Sequence, residues 1–162
     1  MTTIAVTATE VAADGQRMWG CEIVNLTTEK IHVQDGMIYA FSGTFPLFHP
    51  MIEWHLAGAD PKELPTGVDY KENGWTLVVI DDGGLFKYTS SCPYPEELEP
   101  PIAFGAGGDY ATGAMLHGAT AKEAVEIVAR LCNHTGGQIK VVDIAKVTGF
   151  TLRRTHLREA AE

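Results

Sequence analysis

Several common catalytic signatures are missing from this chain. It has no G-x-x-x-x-G-K-[ST], no H-E-x-x-H, no C-x-x-C and no G-x-S-x-G, which removes the phosphate-cradling loop, the helical zinc-protease site, the paired-thiol site and the nucleophile elbow. Cysteine is scarce and odd in number: Cys21, Cys92 and Cys132 lack metal-ligand spacing, which argues against a disulfide framework and a zinc site and leaves ordinary thiols. No apolar run approaches the ~20 residues of a membrane-spanning helix. The opening MTTIAVTATE has no basic stretch followed by an apolar core, so no secretory signal and a cytoplasmic location are expected. Basic residues are few, 12 Lys and Arg against 21 Asp and Glu, and the formal net charge of -9 opposes any long contact with nucleic acid.

What is present is a chain of single-domain size, 162 residues, with a charged C-terminal tail over 151–162. Thr2 to Thr9 alternates with β-branched residues, and Glu10 to Asp14 continues as a second extended piece before Gly15. Lys30 to Val33 and Met37 to Ser42 flank Asp35-Gly36, a pair that favours a tight primed hairpin. Trp75 to Ile80 and Leu85 to Ser90 flank Asp81-Asp82-Gly83-Gly84, where the glycines can supply positive φ. A helix is expected from about Leu47 to Ala57, with Pro50 in its first turn. Two more follow a Gly-rich loop. Gly118 ends the first, and Thr120 with Glu123 forms a capping box on the second, whose inner face carries Ala124, Val125, Val128, Leu131 and Cys132. Gln138 to Ile144 is a late strand, and 60–73, rich in Pro, Gly and charge, is a loop. This order indicates α+β layers rather than a doubly wound sheet.

Gly105, Gly107 and Gly108 resemble dinucleotide-binding glycines, but Tyr110 occupies the third glycine position and no βαβ unit surrounds them. A tight strand-to-helix turn is the better reading. The N-terminus is the stronger lead. Met before Thr is a good substrate for methionine aminopeptidase, and removal of Met1 would expose Thr2. The Thr2 hydroxyl is a poor nucleophile alone, but its own α-amine, with a pKa of about 7.7 to 8.0, can take the proton. Such chemistry needs a fixed positive charge nearby; Lys30, anchored by Asp14, is the candidate.

At this point the sequence resembles the proteasome β-subunit family and especially HslV, the peptidase partner of a bacterial ATP-dependent protease. Thr2-Thr3-Ile4 is similar to the mature N-terminus of that peptidase, and Ala13-Asp14-Gly15-Gln16 to its A/G-D-G-Q motif, with a fitting distance to Lys30. Ala40-Phe41-Ser42-Gly43-Thr44 resembles the turn whose glycine N–H lines the oxyanion hole, and Ile102-Ala103-Phe104-Gly105-Ala106-Gly107-Gly108 resembles I-A-I-G-S-G-G. The resemblance implies a four-layer αββα sandwich of the N-terminal-nucleophile type, with Thr2 as nucleophile, Lys30 lowering the pKa of the Thr2 groups, Asp14 holding Lys30, Gly43 N–H stabilising the oxyanion and Thr3 supporting the strand. It also implies a homo-oligomeric ring that takes peptide or unfolded protein, with an ATPase unfoldase as a further partner, and no cofactor or metal.

The departures are specific. Ala106 stands where the family has a Ser bonded to the N-terminal amine, and Cys132 stands at an Asp position before Asn133-His134-Thr135-Gly136-Gly137. Phe45-Pro46 replaces a small-small-Asp ending, and the chain is shortened between Ala57 and Trp75. Asn133 and Thr135 are candidates to compensate, and His134 is a loop histidine near the site. His49 and His55 show no metal-binding pattern. A threonine peptidase is the leading reading; a weak or inactive ring scaffold and a small-molecule amide hydrolase are the alternatives.

Overall fold

A computed structural model describes residues 1–65 and 74–153. Two antiparallel sheets face each other. The first joins β1 (Thr3–Val6), β2 (Glu10–Ala13), β10 (Ile102–Gly105) and β11 (Lys140–Asp143) in the order β10-β1-β2-β11. The second runs β5 (Ile31–Gln34), β6 (Met37–Ser42), β7 (Thr76–Asp81), β8 (Gly84–Thr89) and β9 (Cys92–Leu98) in chain order. Ile4, Val6 and Val11 meet Ile38, Val78 and Ile80 between the sheets. On the outer side of the first sheet, Ala5 and Ala12 pack under α2 (Gly108–Leu116) and α3 (Ala121–Leu131). On the outer side of the second, Tyr39, Phe41 and Leu77 pack under α1 (Phe48–Leu56). The result is the expected αββα sandwich.

This layering explains β1. Its four residues are all buried, because alternate side chains enter different cores: Ile4 and Val6 the inter-sheet core, Ala5 the helical one. Small side chains on the helical face let α3 approach closely. The strand is shorter than the expected extended run; the chain turns at Thr7, whose N–H donates to Glu10 O at 2.9 Å. Asp35 (φ 52°) and Gly36 (φ 72°) make the primed turn between β5 and β6. The β7–β8 turn works differently from expectation. Only Gly84 of its two glycines has positive φ, and the Asp81 carboxylate closes the turn by accepting from the Gly83 and Gly84 N–H groups at 2.7 and 3.1 Å.

Helix α1 starts one residue later than expected, after a 3-10 turn at Phe45–Leu47, and Pro50 sits in its first turn. The capping box of Thr120 and Glu123 is formed. Leu131 departs from the expected inner face: it is 62% exposed, whereas Cys132 packs against the core under the helix. Ile144, expected in the last strand, instead opens the short α4 (Ile144–Thr148), whose start is fixed by Asp143 accepting from the Lys146 N–H. Further additions to the sequence reading are β9 and a separate hairpin of β3 (Arg17–Trp19) and β4 (Glu22–Asn25). The loop expected over 60–73 holds a 3-10 turn at Pro61–Glu63; from 66 on, it lies outside the described residues, as does the tail from 154. The three cysteines are free, and no described helix is long and apolar enough to cross a membrane.

Replacing Ile4, fully buried between the sheets, by Ala is expected to cost ~2–5 kcal/mol, read as a lower urea midpoint with an unchanged m-value.

Candidate active site

Strand direction brings the candidate residues together. Thr2 precedes β1 and Asp14 follows β2, and these strands are antiparallel neighbours; Lys30 precedes β5 and Gly43 follows β6, likewise antiparallel. Strand β10 ends beside the same point, with Gly105 opposite Thr3. Five strand ends therefore converge at one edge of the sandwich.

Asp14 and Lys30 form a buried ion pair at 3.1 Å, with Asp14 1% and Lys30 3% exposed. The pairing alone would not offset the loss of hydration, and the remaining valences are filled. Asp14 Oδ1 also accepts from the Thr3 N–H at 2.9 Å, while Oδ2 accepts from the N–H groups of Gly136 and Gln16 at 3.2 and 3.3 Å. The Lys30 ammonium donates to Gln16 O and, at 3.2 Å, to Met1 O. Burial holds the Lys30 pKa below its ordinary value, against the opposing pull of Asp14. The same physics lowers the Met1 amine, through burial first and the Lys30 charge second, while Asp14 and Cys132 push it up.

Thr2 is itself buried, and its backbone is fixed by the Ala106 N–H, which donates to Thr2 O at 2.8 Å. Its hydroxyl makes no hydrogen bond among the described residues. The Met1 carbonyl oxygen that Lys30 contacts is two bonds from the Thr2 nitrogen, so the ammonium stands beside the atom that becomes an amine when Met1 is removed. Gly43 has φ 133°, and a Cβ there would lie 2.5 Å from Gly74 O. Only glycine fits, and its N–H has no partner among the described residues. Two clefts meet at Met1, Gly43 and Thr44. One, of about 490 Å³, is walled by Lys30, Arg17, Met18, Trp19 and Phe45; the other, of about 710 Å³, carries the hydroxyls of Ser42, Thr76, Thr89, Ser90 and Ser91.

The sequence departures have a structural counterpart. Thr3 donates its hydroxyl to Ala106 O and lies 2.6 Å from the Thr135 hydroxyl, so Thr135 is engaged with Thr3. Asn133 supplies its carbonyl to Gln16 Nε2 at 2.8 Å. His134 makes no hydrogen bond or ion pair among the described residues; His49 lies 3.4 Å from Glu53, and His55 Nδ1 lies 3.0 Å from the Tyr39 hydroxyl. Sequence reasoning did not single out the backbone partners, Gln16 O and Gly136 N–H. Gly136 carried a local sign: a Cβ there would lie 2.5 Å from Gln16 Oε1. Gly105 and Gly107 have φ of 86° and 70°, and Cβ atoms there would meet Thr2 O and Val128, which makes the Gly-rich segment the tight strand-to-helix turn that was expected.

No protein-family model matches the sequence, and no curated protein does. In structure the chain is similar to eukaryotic HslV from Trypanosoma brucei, with TM-score 0.68 and 17% identity over 88% of this chain and 98% of that one. It is also similar to Thiobacillus denitrificans BPH in complex with epoxomicin, with TM-score 0.66 and 18% identity over 88% of this chain and 98% of that one. A second structure of BPH gives TM-score 0.62 and 17% identity over 88% and 97%. The four layers of this chain are thus the fold of Trypanosoma brucei HslV and Thiobacillus denitrificans BPH.

Proposed function

We propose that the protein is a threonine-type peptidase subunit in which Thr2, freed of Met1, is the nucleophile. The observation that carries this reading is the buried Lys30–Asp14 pair placed against the Thr2 nitrogen, with an unengaged Gly43 N–H on the same cleft. The Thr2 Oγ attacks the carbonyl carbon of the scissile amide while its α-amine takes the hydroxyl proton. Lys30 favours the alkoxide and keeps the amine neutral; the Gly43 N–H faces the oxyanion. Collapse breaks the C–N bond, the ammonium returns its proton to the leaving amine, and an ester on Thr2 remains. Water, deprotonated by the amine, hydrolyses the ester to the acid and restores Thr2.

Ala106 and Cys132 favour a second reading, a ring scaffold with weak or no activity, since neither supplies the hydroxyl or carboxylate that the family pattern places behind the amine. The two readings separate on chemistry. Intact mass of cytoplasmically expressed protein is expected to show loss of Met1. Epoxomicin, the ligand in the BPH complex, is expected to add once per chain, with Thr2→Ala unlabelled and Lys30→Ala slowed by about two to three orders of magnitude. Wild-type protein that lacks Met1 and resists labelling would establish the scaffold; equal labelling of Thr2→Ala would place the chemistry elsewhere.

The pH profile carries an independent check. Lys30 contacts the Met1 carbonyl oxygen, two bonds from the Thr2 nitrogen, so its charge is expected to depress the Thr2 amine once Met1 is gone. A lowered pKa means that the neutral base is reached at lower pH, so the labelling rate should rise with pH and level off below the ordinary α-amine range of about 7.7 to 8.0. Lys30→Met should move the midpoint up.

Asp14→Asn would leave Lys30 buried without a counter-charge. A loss of ~3–5 kcal/mol in unfolding free energy is expected from chemical denaturation, with Asp14→Asn/Lys30→Met recovering stability but not labelling.

A homo-oligomeric ring acting on peptide or unfolded protein is part of the same reading, since closed symmetry stops identical contacts from growing into filaments. Native mass spectrometry is expected to give one closed oligomer; a strict monomer at micromolar concentration would count against it.

A further inference from the structure

We infer that Arg17 selects substrates bearing a carboxylate side chain, glutamate above all, in the cleft between Thr2 and the β3–β4 hairpin; this rests on Thr2 being the nucleophile. The cleft is lined by Arg17, Met18, Trp19 and Phe45 beside Lys30, and no Asp or Glu is among its described lining residues. That is unexpected in a chain with 21 acidic and 12 basic residues. The Lys30 charge is already balanced by Asp14 at 3.1 Å, so among the described lining residues Arg17 is the cationic side chain left without a counter-charge. Arg17 makes no ion pair among the described residues; its one recorded contact places the guanidinium 5.7 Å from the centre of the Phe45 ring.

A guanidinium over an aromatic face keeps its N–H edge free, and that edge matches a carboxylate in two parallel hydrogen bonds. The neighbouring apolar wall of Met18, Trp19 and Phe45 receives the methylenes of the acidic side chain. An all-apolar side chain would cover the same wall but leave the guanidinium partly stripped of water without a partner, which is unfavourable. The register of β3 against β4 shifts between Arg17 and Met18, an irregularity of the kind that raises local strand twist, and both residues line the cleft.

The test pairs cleavage with equilibrium binding, so that failure of the chemistry and failure of the selection are separable. Capped hexapeptides carrying Glu, Gln, Leu or Lys on either side of the central bond are titrated into the assembled full-length protein, with tryptophan fluorescence reporting on Trp19, which is 82% exposed at the cleft. Glu is expected to bind about three- to tenfold tighter than its neutral isostere Gln, with the ratio shrinking as salt rises. The kcat/KM order should follow. Arg17→Gln should abolish the Glu/Gln difference, and Arg17→Glu should reverse the order of Glu and Lys. Equal binding of Glu and Gln, or tighter binding of Leu than Glu, overturns the inference whether or not any peptide is cleaved. Selective binding of Glu without cleavage would sustain the cleft assignment and overturn the peptidase reading. Should the Arg17 variants fail to fold, the salt dependence of the wild-type Glu/Gln ratio decides: a salt-independent ratio overturns the inference.

Discussion

An ammonium and a carboxylate held out of water at one end of two stacked sheets set the terms for everything around them. Asp14 leaves the first sheet and Lys30 enters the second, so their 3.1 Å contact is also a staple between layers. Such a pair persists only when nearly every donor and acceptor on it is satisfied. Here the Thr3, Gln16 and Gly136 N–H groups and the Gln16 and Met1 carbonyls do that work. Those groups come from three places: the N-terminus with Met1 and Thr3, the turn at Gln16, and the loop after α3 with Gly136. The pair therefore fixes the N-terminus, the start of the β3–β4 hairpin and the loop after α3 against one another.

The N-terminus is held by backbone geometry as well. Strand β10 ends at Gly105, where any Cβ would collide with Thr2 O, and the next N–H, from Ala106, donates to that oxygen. Position 106 thus contributes its main chain to Thr2 and to Thr3, even though its side chain is only a methyl. The Thr3 and Thr135 hydroxyls bridge the remaining gap to the α3 loop. Residues that look peripheral in the sequence are consequently what keep Thr2 aligned along the cleft.

Much of this was legible because local chemistry agreed with the global arrangement. Asp35-Gly36 can make few other turns, Thr120 and Glu123 announce a helix start, and β1 and β2 carry β-branched and small residues suited to packing on both faces. The candidate residues Thr2, Asp14, Lys30 and Gly43 were singled out by their resemblance to the family's motifs, and the structure brings all four to one edge of the sandwich. What escaped had weak or conflicting local signals. Strand β9 contains Pro93 and Pro95 among acidic residues, which suits an edge and disguises it as a loop. The β3–β4 hairpin buries almost nothing, so periodicity gave it no mark. Leu131 fits the helical stripe but is exposed, and only the tertiary position of α3 reveals that. The carbonyl and N–H partners of the ion pair are backbone groups, which every residue carries and no pattern singles out.

The energetics of the pair also bear on what the site is for. A fold alone does not require an ion pair at this edge: well-packed apolar side chains of similar volume are commonly as stabilising as a buried pair, or more so. A scaffold that had ceased to react could replace Lys30 and Asp14 together without loss of the sandwich. Here a lysine whose charge is disfavoured by burial stands against the first peptide bond. A charge in that position does little for packing that a methionine would not do, but in the proposed mechanism it sets the basicity of the Thr2 amine and hydroxyl. The pair thus weighs on the catalytic side of the proposed function, while Ala106, which gives Thr2 and Thr3 its main chain but no hydroxyl, weighs on the other.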